Sequence, residues 1–135
     1  AGRDQAARLG VTLSREIGAF SVALSSDAQR ARETFAAILA RVATDDSWHD
    51  RSIYDGGEEE GIELARTFTG EAGLIVGHEP VISYAGYILA HQEDRGAADR
   101  GVPTATALVL SFEGAWEDLA PGTCAVRVFY TPPTR

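Results

Sequence analysis

The 135-residue chain has no lysine, no methionine, a single cysteine and no long apolar run. Each absence narrows what it can be. A membrane span needs roughly 18 consecutive apolar residues, and nothing here approaches that, so a membrane is not expected among its partners. Cys124 alone rules out an internal disulfide framework and fits a reducing, cytoplasmic setting. The polar, helical character of Ala1 to Leu9 does not suit a signal peptide. All 12 basic residues are arginine, a bias we read as codon usage in a GC-rich genome. The 20 acidic residues outnumber them and set a net charge of −8, which argues against nucleic acid as a partner, because its backbone calls for basic surface. A small anion is not excluded, since a site needs only local positive potential. The missing methionine is compatible with removal of a start residue before Ala1 or with a natural protein that begins further upstream; the motifs below favour the second.

What is present reads as one domain of alternating strands and helices. Gly2 to Leu9 has the character of a helix, with Gly10 expected to end it. Ser21 to Ser25 is a short buried strand around Val22, Ala23 and Leu24. Phe35, Ile38, Leu39 and Val42 fall at helical spacing and form one apolar stripe. Ser26, with Gln29 three residues on, predicts the start of that helix. Thr44 to Ser47 reads as a loop, Trp48 to Tyr54 as a place for a short strand, and Asp55-Gly56-Gly57 as a turn. Glu58 to Phe68 is a helix with acids in its first turn. Leu74-Ile75-Val76 predicts a central strand buried on both faces. Pro80 suits the first turn of a helix continuing through Val81 to His91. Gln92 to Gly101 reads as a surface loop, and Thr104 to Phe112 and Thr123 to Tyr130 as the last strands. No repeat or second domain is visible.

That alternation predicts a three-layer α/β/α fold with a mainly parallel central sheet. In such sheets ligands bind beyond the carboxyl ends of the strands, and two segments carry polar residues there. In Ser25-Ser26-Asp27-Ala28-Gln29-Arg30-Ala31-Arg32 a strand runs into a helix whose opening turns hold two arginines. Free backbone N–H groups beside a guanidinium make an oxyanion cradle; solvated arginines paired with Asp27 and Glu33 are the plainer alternative. In Gly77-His78-Glu79-Pro80 a buried strand ends at a histidine beside a helix N-terminus. Charged, that imidazole binds an anion; neutral, it moves a proton. The alternative is a histidine fixed by packing and one hydrogen bond. His49 and His91 lack that setting and read as surface histidines. Glu79 and Asp55 are the candidate acids, each equally readable as a first-turn carboxylate or a turn residue. There is no nucleophile elbow, no phosphate-binding P-loop and no zinc-spaced Cys/His set.

At these residues a family resemblance emerges. Ser25 to Thr34 resembles the SSPxxRAxxT segment of the histidine phosphatase superfamily, with Asp27 where proline is usual. Gly77-His78-Glu79-Pro80 resembles that family's second-histidine motif, Gly2-Arg3-Asp4-Gln5-Ala6 its GRxQA helix, and Pro103-Thr104-Ala105 its segment before the late strands. The compact size and the direct passage from Tyr54-Asp55 into a helix resemble the SixA-like phosphohistidine phosphatases. The resemblance implies a phosphatase that uses no metal or other cofactor and acts on a phosphorylated small molecule or a phosphohistidine protein. It implies Arg30 as the phosphate clamp and His78 as the second histidine, with Asp55 or Glu79 as the proton donor. It also implies an Arg-His-Gly or Arg-His-Ala motif on a first strand ahead of the Gly2-Arg3 helix. No Arg-His pair occurs in these residues, so the nucleophile and its strand are expected upstream of Ala1. A member of the same fold that only binds phosphate, and an α/β domain without a phosphate site, are the competing readings.

Overall fold

The computed structural model describes residues 2–99 and 106–132, without the side chains of residues 2, 3 and 54; the Pro103-Thr104-Ala105 segment lies outside the described residues. Helix α1 spans Gly2–Glu16 and buries Ala6, Leu9 and Leu13 along one stripe. It does not stop at Gly10. That glycine marks a close approach: a Cβ there would sit 3.0 Å from the Ile38 carbonyl oxygen on the neighbouring helix. The helix ends instead at Gly18, whose φ of 96° only glycine adopts without strain and whose N–H reaches the Leu13 carbonyl.

Strand β1 (Ala19–Ser26) is the middle of a three-stranded parallel sheet in the order β2-β1-β3. It leads into α2 (Gln29–Leu39), which buries Ala31, Phe35 and Ile38; Val42 is buried just beyond it. The N-cap of α2 is Ala28, not Ser26. Ser26 lies two residues earlier, its hydroxyl accepting the Ala28 N–H at 3.2 Å. The segment read as a loop is the first half of β2 (Ala43–Asp50), and the short strand foreseen from Trp48 gives way after Asp50 to a one-turn helix, α3 (Arg51–Asp55). Strand β2 is an outer strand with mostly exposed side chains, so backbone pairing rather than an apolar pattern defines it. Helix α4 (Glu58–Arg66) starts where Glu60 accepts the Gly57 N–H at 2.9 Å.

Strand β3 (Gly73–Val76) is half-buried and pairs with β1 on one side only; among the described residues it is an edge, not the centre. Its side chains alternate as a strand covered on both faces requires. Leu74 and Val76 pack with Leu9, Leu13, Phe20, Ile38 and Val42, the cluster under α1 and α2. Ile75 packs with Leu24, Ile53, Ile62 and Leu89, the cluster under α3, α4 and α5 (Val81–Leu89). These are the two faces of an α/β/α sandwich. The predicted surface loop holds a 3-10 turn (Gln92–Asp94) and a short helix, α6 (Arg95–Asp99). The last strands, β4 (Thr106–Ser111) and β5 (Ala125–Tyr130), form a separate antiparallel pair. Ala107 and Val109 of β4 share the cluster of Leu74 and Val76, yet among the described residues no ladder joins β3 to β4.

Candidate functional site

Because β1, β2 and β3 are parallel, their carboxyl ends meet on one rim. Ser26 lies opposite Asp50, and Ser25 opposite Val76. Ser25 and Ser26 are fully buried. The Ser25 hydroxyl donates to the Ser26 carbonyl at 2.7 Å, and Ser26 turns the chain into α2. Both serines therefore shape the rim from beneath, and neither offers a hydroxyl to a ligand.

Arg30 is the second residue of α2 and is exposed. No side chain caps that helix, so the amides of its first turn are open to an anion. Arg30 makes no ion pair or side-chain hydrogen bond with the described residues, whereas its neighbour Arg32 pairs with Asp27 at 3.5 Å. His78 follows β3 by two residues and is exposed. Its carbonyl accepts the Ile82 N–H at 3.1 Å, which pins its backbone to the start of α5, and its ring makes no hydrogen bond with the described residues. Gly77 is needed for close packing: a Cβ there would lie 2.8 Å from Ile82 Cδ1 and 3.4 Å from Ile53 Cγ2. Arg30 and His78 thus follow register-paired residues of adjoining strands, which lie about 4.8 Å apart in a sheet. A guanidinium, an imidazole and open helix amides at one rim are the donors a phosphate needs.

The two candidate acids are on neighbouring elements and are engaged. Glu79 accepts the Ser83 N–H at 2.9 Å and also bonds the Ser83 hydroxyl, so it closes the first turn of α5. Asp55 pairs with Arg51 at 3.2 Å on the exposed face of α3. A third carboxylate escaped the sequence reading. Asp50 ends β2 opposite Ser26 and caps α3, accepting the Ser52 N–H at 2.9 Å and its hydroxyl. The Ser52 hydroxyl is the main reason the Asp50 carboxyl lies below its ordinary range. The Asp-x-Ser spacing was the available signal. His49 is exposed and meets the Phe35 ring edge-on at 5.8 Å. His91 is not a surface residue: half-buried, its Nδ1 holds the Gly122 carbonyl at 3.0 Å beside the Ala90–Cys124 bridge.

A groove of about 560 Å³ runs beside α2 toward β2, lined by Asp27, Gln29, Arg32, Glu33, Ala36 and His49, and includes neither Arg30 nor His78. Among the described residues no three His, Cys, Asp or Glu side chains are gathered as a metal site, and no helix is long and apolar enough to cross a membrane.

No protein-family model and no curated protein matches this chain. Solved structures do. A candidate phosphohistidine phosphatase SixA from Nakamurella multipartitia superposes with a TM-score of 0.81 at 28% identity, over 96% of this chain and 81% of that one. A candidate phosphohistidine phosphatase SixA from Agrobacterium tumefaciens superposes with a TM-score of 0.71 at 22% identity, over 82% of this chain and 73% of that one. The likeness that began in four short motifs therefore extends through the arrangement of strands and helices: this chain resembles the SixA-like branch of the histidine phosphatases.

Proposed function

We propose that this chain is the greater part of a metal-independent phosphatase acting on a phosphohistidine or a small phosphomonoester. One observation carries the reading: a guanidinium and an imidazole, those of Arg30 and His78, stand exposed and without a side-chain partner among the described residues, just beyond the ends of adjoining parallel strands. Buried or paired cations would be structural; unpaired ones at an open helix start are suited to an anion. In this scheme a histidine supplied from upstream of Ala1 attacks phosphorus, and the bond to the leaving group breaks. Water then attacks the phosphohistidine, releasing phosphate and restoring the imidazole. Arg30 holds the phosphoryl oxygens throughout and His78 offsets the charge that spreads over them, which is where most of the catalysis of phosphoryl transfer lies. The unpaired side of β3, with β4 packed near it but not bonded to it, has room in principle for the strand that carries the nucleophile. The acidic chain suits a phosphorylated partner over a nucleic acid, and its lone buried thiol suits a cytoplasmic setting.

The test is a phosphatase panel on the full-length protein, its true N-terminus fixed by mass spectrometry, with histidine-phosphorylated protein, aryl phosphate and alkyl phosphate as substrates. Turnover that survives chelators and collapses in Arg30→Ala supports the proposal; equal turnover in that variant sinks it. The absence of an Arg-His pair from these residues favours a second reading, a module that binds phosphate without hydrolysing it. Acid-labile phosphate trapped on the protein would exclude that reading; saturable phosphate binding with no turnover on any substrate would establish it.

A further inference from the structure

The His78 ring has no hydrogen bond with the described residues, so its direction depends on the backbone that carries it. That backbone is held from two sides. On one, Ile82 of α5 would meet a Cβ at Gly77 at 2.8 Å, and its N–H bonds the His78 carbonyl at 3.1 Å. On the other, Ile53 of α3 would meet the same Cβ at 3.4 Å. Ile53 is 3% exposed and is fixed in the core cluster of Leu24, Ile62 and Leu89. Helix α3 therefore backs the glycine just before the histidine.

A helix of five residues does not stand alone, so α3 depends on its ends. At its close the Gly56 N–H bonds the Ser52 carbonyl at 2.8 Å. At its start one oxygen of Asp50 accepts the Ser52 N–H at 2.9 Å and the Ser52 hydroxyl, and the other accepts the Trp48 indole N–H at 3.4 Å. Asp50 is also the last paired residue of β2, opposite Ser26 at the end of β1. One carboxylate thus fixes where β2 stops and α3 begins.

We propose that Asp50 is a positioning residue: by capping α3 it seats Ile53 against Gly77 and so fixes the direction of His78 at the phosphate. That the ligand is a phosphate rests on the phosphatase reading; the path from Asp50 through Ile53 to Gly77 does not. Charge and position pull opposite ways here. In the order β2-β1-β3 two strand spacings, about 10 Å, separate the ends of β2 and β3. Across that distance in water a carboxylate weakens an anion by about twofold per unit charge. Neutralising Asp50 alone therefore improves phosphate binding, whereas removing its cap worsens it. Asparagine and serine keep a capping oxygen without the charge; alanine keeps neither.

The experiment compares the full-length protein with Asp50→Asn, Asp50→Ser and Asp50→Ala, by titration with inorganic phosphate and by native-state hydrogen exchange. Asp50→Asn and Asp50→Ser should bind phosphate as well as wild type or about twofold better. Asp50→Ala should bind it about threefold worse or more, within the roughly 2- to 30-fold by which a lost cap shifts a helix equilibrium. In Asp50→Ala the Ile82 amide, bonded to His78, should exchange faster, while the Ala90 amide, bonded to Gly86 at the far end of α5, should not; asparagine should restore the Ile82 amide. A carboxylate that served only the fold would lower Tm and leave the Kd of the folded protein alone. Equal phosphate affinity in the alanine and asparagine variants, or an Ile82 amide indifferent to the cap, would overturn the positioning role. Phosphate binding that survives both Arg30→Ala and His78→Ala counts against the phosphatase reading alone. The exchange measurement uses no ligand, so it decides the path from Asp50 to Gly77 in that case too.

Discussion

Arg30→Ala separates a working residue from a structural one, because its effects on stability and on binding have opposite signs. Arg30 is the second residue of α2, exposed and without an ion pair among the described residues. A cation in the first turn opposes the helix macrodipole by about 0.3–1 kcal/mol, and alanine is at least as good a helix former. The variant should therefore be more stable by about 0.3–1 kcal/mol, a rise in Tm of roughly 1–4 °C for a domain of this size. Phosphate binding should fall. Hydrogen bonds to a charged group contribute about 1.5–3 kcal/mol, which corresponds to roughly 10- to 150-fold in Kd. Arg32→Ala is the control: it loses the half-exposed pair with Asp27, a contribution of about 0–1 kcal/mol, and gains the same relief from the macrodipole, so neither readout should move far. Calorimetry gives the first quantity and titration with phosphate or vanadate the second. An Arg30→Ala protein that melts several degrees lower and binds phosphate undiminished would show that the side chain supports the fold, and the reasoning would be wrong.

Other substitutions divide along the same line. His78→Ala should cut turnover of the full-length protein with little loss of stability, while His91→Ala should cost about 1 kcal/mol through the lost Gly122 contact and leave turnover intact; kinetics beside urea denaturation separates them. A Cβ at Gly73 would sit 2.3 Å from the Phe68 ring, a buried group that cannot swing aside, so Gly73→Ala should lose about 1–3 kcal/mol in urea denaturation. Gly77→Ala meets the movable end of Ile82; its cost in stability should be the smaller of the two, and its cost in phosphate affinity the greater. Asp50 titrates below its ordinary 3.8 because of Ser52. Its stabilisation is therefore present above the unfolded value and is lost as pH falls through the folded one, so wild type and Asp50→Asn should differ in stability at pH 6, and the difference should shrink in acid unfolding only as pH falls below the ordinary 3.8.

What could be read from the sequence was what apolar side chains write. Leu74-Ile75-Val76 and the Phe35–Ile38 stripe announce elements that bury their side chains, and both formed. Strand β2 writes nothing of the kind: Thr44, Asp45, Asp46 and Ser47 hold their place through seven backbone-paired positions against β1, and its outward side chains are free to be polar. Gly10 misled for a related reason. Its meaning was tertiary, a close approach of α1 to α2, and single-sequence reasoning gives a glycine only its local meaning. At the rim, the placement of Arg30 and His78 just beyond β1 and β3 was legible because a strand-to-helix passage was readable in both segments. The engagement of Glu79 by Ser83, and the place of Asp50 opposite Ser26, depend on side-chain direction and strand register, which no spacing rule supplies.

The engaged acids bear on the choice of substrate. The rim carboxylates Glu79, Asp55, Asp50 and Asp27 are each already engaged, by Ser83, Arg51, Ser52 and Arg32 in turn. A phosphomonoester of an alcohol departs as an alkoxide, comparable in basicity to the hydroxide of bulk water with its pKa of about 15.7, and such a leaving group depends on a proton in the transition state. A phosphohistidine protonated on its second ring nitrogen departs as neutral imidazole, whose conjugate acid has a pKa of about 6.5; that proton is taken up from solvent near neutral pH, so the rim need not supply it. A rim whose guanidinium and imidazole are unengaged among the described residues, and whose carboxylates are engaged, is suited to holding a phosphoryl group and poorly equipped to protonate an alkoxide. If Arg30 and His78 hold the phosphoryl group as proposed, the engaged acids favour the phosphohistidine end of the proposed substrate range, and turnover in the panel should descend from histidine-phosphorylated protein through aryl to alkyl phosphate.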